Sequence, residues 1–328
     1  MLKRLFAVKV KRNKQRFMGC YFCGKNNLKV LRNRLRNNIE RNVLQCQDCK
    51  LIYLEPKSNL RAYYEGDYRK LHSPIIGKAL TSREIFEMYL PHQKSRIEAL
   101  GEKINSNSKV LEIGCSAGHF LYSIKDKVRE CVGVELNKEN AEFVNKELGI
   151  CVYNDSIENL VFPEEYFDAI AAFHVFEHID NPLDFLKNLS KYLKPDGVIF
   201  LEVPNTNDAL MSLYKLDSFA DFWYIEPHSF FYTPETLKMM LEKGGFSGVV
   251  RTTQSYSFVN HINWALRGEP QASFEIGYSV PKLVLSDDVD PAIKSEFNDW
   301  MKKVDEEYRK MLEKNNVAGN IIFIGKKL

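Results

Sequence analysis

The sequence predicts an α/β protein: a seven-stranded, doubly wound sheet, preceded by a small cysteine-rich module and interrupted by a helical insertion before its last strand. Three observations carry that expectation. From Ser108 onward, short apolar strands alternate with helical stretches, the pattern of parallel strands joined by crossover helices. The first strand runs into Gly114-Cys115-Ser116-Ala117-Gly118, a turn of small residues that opens a helix. Far upstream, Cys20-x-x-Cys23 and Cys46-x-x-Cys49 form two pairs separated by twenty-two residues, a spacing that suits a metal site.

Composition agrees with a folded protein. The 328 residues correspond to roughly two domains at ~150 residues each. Apolar residues make up 45% and charged residues 27%, which excludes collagenous, low-complexity and wholly disordered chains. No window holds a membrane-length apolar run, and Leu5 to Val8 is shorter than a signal-peptide core, so the cytoplasm is the expected address. The net charge of +3 hides an asymmetry: the first fifty residues carry +12, which leaves −9 for the rest. A basic start on an acidic body suits an anionic partner such as nucleic acid, a nucleotide diphosphate or a membrane surface. A solvated basic face would look the same.

The basic segment and cysteine module span residues 1–56. Thiolates at i, i+3 on a tight knuckle face one tetrahedral ion, and two knuckles close a four-cysteine shell with no open position, so the metal expected from Cys20, Cys23, Cys46 and Cys49 is structural zinc. Two β-leaning stretches, Leu28 to Leu35 and Ile39 to Gln45, flank a turn at Asn37-Asn38, as in a zinc ribbon. Metal binding would supply the stability that so small a core lacks. Two disulfides and a redox pair are the competing readings, disfavoured by the absence of a secretory signal and by the duplication. A strand at Leu51 to Leu54 ends the module, and residues 57–107 read as a helical linker: a Tyr-rich helix with Tyr63, Tyr64 and Tyr68, then a helical stretch from Thr81 to Leu100 broken at Pro91.

Residues 108–328 form the body. Val110 to Ile113 is the first strand, and the small residues after it let backbone amides approach an anionic ligand at a helix amino terminus. Cys131 to Val134 is the second strand and ends in Glu135, placed to accept ribose hydroxyls. Cys151 to Tyr153 leads into Asn154-Asp155-Ser156, an acid and hydroxyl where an adenine amino group needs an acceptor. Phe167 to Phe173 then runs into His174-Val175-Phe176-Glu177-His178.

Glu112-x-Gly114-x-x-x-Gly118, Glu135, Asp155-Ser156 and Phe167-Asp168 through His178 together resemble a class I S-adenosylmethionine-dependent methyltransferase, a Rossmann-like fold. The resemblance covers about residues 108–253 and a last strand at 320–325. Ser116 stands where many members carry glycine. The resemblance implies that Gly114, Cys115 and Gly118 hold the methionine end, with Glu112 in the same motif. It assigns Glu135 to ribose, Leu136 to the adenine face, Asp155 and Ser156 to the adenine edge, and the Phe173 backbone to the methionine amino group. The cysteine module, with Lys50-Leu51-Ile52-Tyr53 and Pro56 after it, resembles the amino-terminal zinc-binding region of methyltransferases acting on antibiotic and cell-surface sugars. The nucleotide-sugar C-methyltransferases of that group carry a much larger carboxy-terminal domain.

Methyl transfer is an in-line displacement, so alignment matters most and a hydroxyl acceptor adds the need for a base. His174, Glu177 and His178 stand at i, i+3, i+4, which one turn of helix would gather on a single face. They resemble the Glu-x-x-Glu-His element of metal-assisted quinone O-methyltransferases; a pocket wall, a base and a metal site all remain open. After the fifth strand, Gly197 to Val203, residues Phe222 to Tyr232 read as a loop at the functional rim, with His228 as the leading base and Glu226 and Tyr232 beside it. Thr233 and Pro234 open a helix that stops at Gly244-Gly245.

The sixth strand, Gly248 to Thr253, and the last, Asn320 to Gly325, enclose a helical insertion over about residues 254–318, with helices at Phe258 to Arg267 and Pro291 to Glu313. It would cover the pocket or make a homodimer contact. The expected activity is methylation of a small-molecule hydroxyl, foremost on an anionic sugar-nucleotide or glycan. The rivals are an RNA methyltransferase using the basic start, although the Asn-Pro-Pro-aromatic signature is missing after the fourth strand, and a non-catalytic S-adenosylmethionine-binding protein.

Overall fold

Strands that read as apolar on both faces need helices on both sides of their sheet, and the body of the chain is built that way. The computed structural model describes residues 19–56 and 80–328. The Tyr63 to Tyr68 stretch and the basic residues before Gly19 lie outside the described residues.

The amino-terminal module contributes β1 (Leu28–Arg34), β2 (Glu40–Cys46) and β3 (Ile52–Leu54). Asn37 and Asn38 both adopt positive φ and turn β1 into β2. Two helices follow, α1 (Ser82–Tyr89) and α2 (Lys94–Leu100). A capping box between Thr81 and Glu84 opens α1, and the expected break falls at Pro91, inside a short 3-10 turn, Leu90–His92.

The body then alternates as expected: β4 (Lys109–Ile113), α3 (His119–Ile124), β5 (Glu130–Val134), α4 (Lys138–Glu147), β6 (Cys151–Tyr153), β7 (Phe167–Phe173), α5 (Pro182–Tyr192) and β8 (Leu193–Pro204). Helices α6 (Ala209–Ser212) and α7 (Asp217–Trp223), strand β9 (Phe230–Phe231), α8 (Pro234–Lys243) and β10 (Phe246–Thr253) come next. The insertion supplies α9 (Phe258–Arg267), α10 (Phe274–Tyr278) and α11 (Pro291–Lys314), and β11 (Asn320–Lys327) closes the fold. Among the described residues, no helix is long and apolar enough to cross a membrane.

Seven strands form the main sheet in the order β10-β11-β8-β7-β4-β5-β6. From β8 to β6 all pairings are parallel, while β11 lies antiparallel between β8 and β10. Strand order reverses at β4, whose neighbours are β5 and β7, so a ligand crevice is expected at the carboxyl ends of these three strands. Strand β8 begins earlier than its sequence suggests. The pattern predicts a start at Gly197, yet Leu193 already pairs with Phe167 across an irregularity in register.

One finding departs from expectation. Phe230 and Phe231 are not loop but strand β9, and β9 pairs with β3 of the cysteine module in a second sheet ordered β1-β2-β3-β9. An exposed strand edge presents unpaired amides and carbonyls, and the aromatic run after His228 covers it. A two-residue strand carries no periodic signal that a sequence could show.

The insertion folds around a buried polar cluster. His261 Nδ1 lies 2.8 Å from the Tyr308 hydroxyl, its Nε2 lies 3.1 Å from the Gln254 amide, and Tyr214 and Tyr308 hydroxyls are 2.8 Å apart. Burial, aided by nearby Arg309, pulls His261 down to about 4. The folded state therefore keeps this ring neutral, while the unfolded chain protonates it below about pH 6.5. Stability from this group is present above pH ~6.5 and is lost as pH falls toward 4. Urea unfolding at about pH 7 and about pH 5 should show that loss, and His261→Gln should flatten the pH slope by up to one proton; an unchanged slope in the variant would refute the assignment.

Candidate active site

The crevice begins at the turn after β4. Gly114 and Gly118 have φ of 69° and 78°, and Ser116 between them has 49°, so the chain folds back tightly before α3. A Cβ at Gly114 would overlap the Val175 side chain. This turn and the turn after β7 are therefore packed directly on each other, and glycine is what permits the contact.

Glu135 follows β5 and accepts hydrogen bonds from the backbone amides of Ser116 (2.8 Å) and Asn137 (2.6 Å). Its carboxylate is oriented by the glycine turn. Asn154 donates to the carbonyls of Glu135 and Leu136, 2.9 Å each, which draws the ends of β5 and β6 together. Leu136 is 58% exposed at this rim. Asp155 accepts from the Ser156 amide and from Asn159, both at 2.7 Å, while the Ser156 hydroxyl donates to Glu158. Cys115 is buried beneath the turn, against Gly133. Phe173 ends β7, edge-on to Phe120 and Phe200.

Beneath the turn, Glu112 is buried and one of its oxygens has no hydrogen-bond partner among the described residues. Burial pushes its carboxyl up to about 8, against the pull of Arg96, so near neutrality it is mostly protonated and can donate. Arg96, from α2, donates to Glu202 at 2.7 Å and lies 4.2 Å from the centre of the Phe173 ring. Asn320 donates to the other Glu202 oxygen at 3.1 Å. Burial alone would raise Glu202, but Arg96 and His174 outweigh it and hold the carboxyl down at about 2.

His174 stands between two carboxylates, 3.6 Å from Glu177 through Nδ1 and 3.6 Å from Glu202 through Nε2. Burial disfavours its charge, yet the two acids prevail and raise it to about 9. It is a cation near neutrality and cannot serve as a base there. Its φ of 55° is a strained conformation for a residue with a side chain. The helix expected to carry His174, Glu177 and His178 on one face is only a 3-10 turn, Phe176–His178, and His174 precedes it.

His228 takes the place at Glu177 and His178 that the sequence suggested for His174. The His178 and His228 rings lie 4.8 Å apart, nearly perpendicular. Burial lowers the pKa of His178, and the Pro227 carbonyl 3.0 Å from Nδ1 fixes the proton on that nitrogen. Nε2 keeps its lone pair and lies 3.8 Å from Glu177. Glu177 is 2% exposed, and neither carboxylate oxygen has a hydrogen-bond partner among the described residues. One ligand atom each from Glu177, His178 and His228 falls within 4.8 Å of the others, a two-imidazole, one-carboxylate set that suits a divalent transition ion.

Glu226 and Tyr232 flank this cluster on the module side and the core side. The Glu226 carbonyl faces Arg41 of the module at 3.4 Å. Tyr232 is fully buried and stacked on Phe176, with ring centres 5.4 Å apart; burial pushes its phenol well up. Sequence reasoning missed Arg96, Glu202 and Asn320, which come from three distant segments and share no motif.

The four cysteines also converge, with all Sγ atoms within 4.8 Å. Cys20 and Cys49 Sγ are 3.4 Å apart, and Cys23 and Cys46 Sγ 3.6 Å. These separations are too long for disulfides and suit thiolates around one tetrahedral ion.

Residues 88–250 match a family model described as a methyltransferase domain. The chain carries a methyltransferase domain. Its strand order, with an antiparallel β11 between β8 and β10, is the Rossmann-like sheet expected of class I. The ubiquinone biosynthesis O-methyltransferase of Proteus mirabilis is 27% identical over 150 residues, covering 44% of this chain and 54% of that protein. The tRNA U34 carboxymethyltransferase of Hydrogenovibrio crunogenus is 29% identical over 155 residues, covering 43% and 45%. The match thus spans about half the length of these relatives. A crystal structure of a SAM dependent methyltransferase from Archaeoglobus fulgidus overlaps 75% of this chain and 97% of its own, at 21% identity and a TM-score of 0.47.

The tight turn of the methyltransferase domain yields a direct test. Gly114→Ala forces a side chain into positive φ against Val175, at a cost of about 1–3 kcal/mol. S-adenosylmethionine affinity measured by calorimetry should drop by roughly tenfold or more, with the thermal transition still cooperative. Unchanged affinity would remove Gly114 from the cofactor site.

Proposed function

We propose that this protein transfers a methyl group from S-adenosylmethionine to a hydroxyl of a small molecule, foremost a sugar or sugar-nucleotide. The observation that carries the reading is the packing of Gly114 against Val175, which sets a cofactor turn beside the turn that bears His174, Glu177 and His178.

In this reading Gly114, Cys115 and Gly118 hold the methionine end, above Glu112, and the Phe173 backbone meets the methionine amino group. Glu135, already oriented by two amides, takes the ribose. Leu136 covers the adenine face, and Asp155 and Ser156 meet its edge. The acceptor approaches from the side of His178 and His228. The reaction forms a carbon–oxygen bond in line with the breaking carbon–sulfur bond, and the acceptor proton must leave. His228, the leading base expected from the sequence, and His178 beside it are the two imidazoles placed to receive it. His174, a cation between Glu177 and Glu202, orients Glu177. A divalent ion held by Glu177, His178 and His228 would take the same imidazole lone pairs, so it would replace that base and supply instead Lewis acidity that makes a hydroxyl easier to ionise. Structural zinc belongs in the shell of Cys20, Cys23, Cys46 and Cys49.

The relative named as an O-methyltransferase supports oxygen as the acceptor atom, and the likeness of the cysteine module to that of sugar methyltransferases supports a sugar. An RNA acceptor has less support. Arg32, Arg36 and Arg41 of the module are engaged by Asp221, Phe222, Glu55 and Glu226, which leaves fewer cations for a phosphate backbone.

Labelled S-adenosylmethionine offered with separate pools of nucleotide-sugars, hydroxylated aromatics and tRNA should place label in a small-molecule pool. Label confined to tRNA would overturn the reading. On the accepted substrate, His228→Ala should slow turnover by about 100-fold or more while cofactor affinity stays within about twofold. Equal loss of both would indicate collapse of the fold instead.

A further inference from the structure

We propose that the four-cysteine module is a brace for the acceptor half of the active site: metal in its thiol shell fixes β3, and β3 holds the segment that carries His228. The inference rests on the acceptor reading of His228 given above.

Continuity of the second sheet is the first support. Ile52 pairs with Phe231 and Tyr53 with Phe230, and the Leu54 amide donates to the Ser229 carbonyl at 3.0 Å. Ser229 directly follows His228. A two-residue strand has no stability of its own, so β9 takes its position from β3.

The knuckles share a core with the site. Cys20, Cys46, Leu51 and Tyr53 are buried in one cluster with Phe176, Phe230 and Tyr232. Tyr21, between Cys20 and Cys23, meets the Phe230 ring edge-on at 5.2 Å. Phe176 lies between Val175 and Glu177 in sequence, so both turns that supply ligands to the histidine cluster rest on this cluster.

The far end of the module grips the segment ahead of His228. Arg36 donates its amide to the Tyr224 carbonyl at 2.8 Å and its side chain to the Phe222 carbonyl, with the guanidinium 3.6 Å from the centre of the Phe222 ring. Arg32 pairs with Asp221, and Arg41 reaches the Glu226 carbonyl. Leu111 and Ile113 of β4 and Val132 and Val134 of β5 touch the same core cluster, but these strands and the Gly114 turn are held in addition by the parallel backbone ladder of the other sheet, with the Gly114 amide donating to the Val134 carbonyl at 2.8 Å. A module this small does not hold its shape by apolar burial alone, and in such modules metal-binding free energy is folding free energy. Loss of metal should therefore loosen the acceptor half and spare the cofactor half.

Hydrogen exchange and calorimetry on the full chain test this. Zinc is removed by a chelator under reducing conditions and, separately, through Cys49→Ala. Amides of residues 228–233 should lose protection by about tenfold or more, while β5 amides keep theirs and S-adenosylmethionine affinity stays within about twofold. Tyr21→Ala keeps all four thiols and should give the same pattern in milder form at full zinc content, which covers the case in which Cys49→Ala does not fold. Unchanged protection at 228–233 after metal loss, equal loss across both sheets, or protein that is isolated without zinc yet protected there would each overturn the brace. Failure of the wild type to bind S-adenosylmethionine would instead sink the methyl-transfer reading, and the exchange comparison would still decide the brace.

Discussion

The structure turns on how one buried carboxylate, Glu177, is neutralised. Burying an ionised acid without partners costs several kcal/mol, of the order that separates folded from unfolded chains. Here the oxygens of Glu177 meet no hydrogen-bond donor among the described residues, and the nearest imidazole nitrogens stand at 3.6 and 3.8 Å. Those distances are too long for hydrogen bonds and short enough for strong electrostatics. The surroundings answer in kind. His174 is held in its charged form by Glu177 and Glu202, and Glu202 is in turn held by Arg96 and Asn320. Charge is thus balanced across the cluster while close contacts to Glu177 are left unmade.

That cluster sits where two sheets meet, and the aromatic run from Phe230 to Tyr232 explains why they meet there. Alternate residues of a strand face opposite sides. Phe230 and Tyr232 enter the core shared by the knuckles and the main sheet, whereas Phe231 enters the smaller core of Leu35, Val43, Ile52, Leu54 and Tyr224. The same strand thus fills both faces of the module. Its hydrogen bonds close the edge of β3, and its side chains close the two apolar layers. Among the described residues, Arg32, Arg36 and Arg41 serve this docking too, so these three cations have a role that needs no anionic partner.

Local signals were legible in the sequence. Thr233-Pro234 caps α8 as its residue types demand, the break at Pro91 falls in place, Asn37-Asn38 makes the hairpin, and each strand from β4 to β7 lies within a residue of its expected span. What escaped was non-local. Glu202 meets Arg96 across 106 residues, and neither position is marked by periodicity or motif. His228 was singled out for its chemistry, but its convergence with Glu177 and His178 across some fifty residues was not, because no local spacing marks it; His174 does stand by Glu177, through a 3-10 turn rather than a helix. Strand β9 escaped because pairing with β3, rather than its own propensity, makes it a strand.

The two halves of the crevice are consequently built by different physics. The side around Gly114 is parallel strands and a glycine turn, held by a continuous backbone ladder to which the side chains of Glu135 and Asn154 add their hydrogen bonds. The side around His228 is assembled from the module and the α7–β9 segment, and arginines joined to carbonyls recur there and within the insertion. Arg36 and Arg41 tie the module to the α7–β9 segment. Arg309 donates to the carbonyls of Gln254, Ser255 and Tyr278, and Ser255 reaches Glu202 through Asn320. A planar guanidinium with several fixed donors can satisfy carbonyls from separate segments at once, which a single ammonium does less well. Such joints set geometry without adding much apolar area, so the position of His228 depends on a few directed hydrogen bonds more than on the extent of its core.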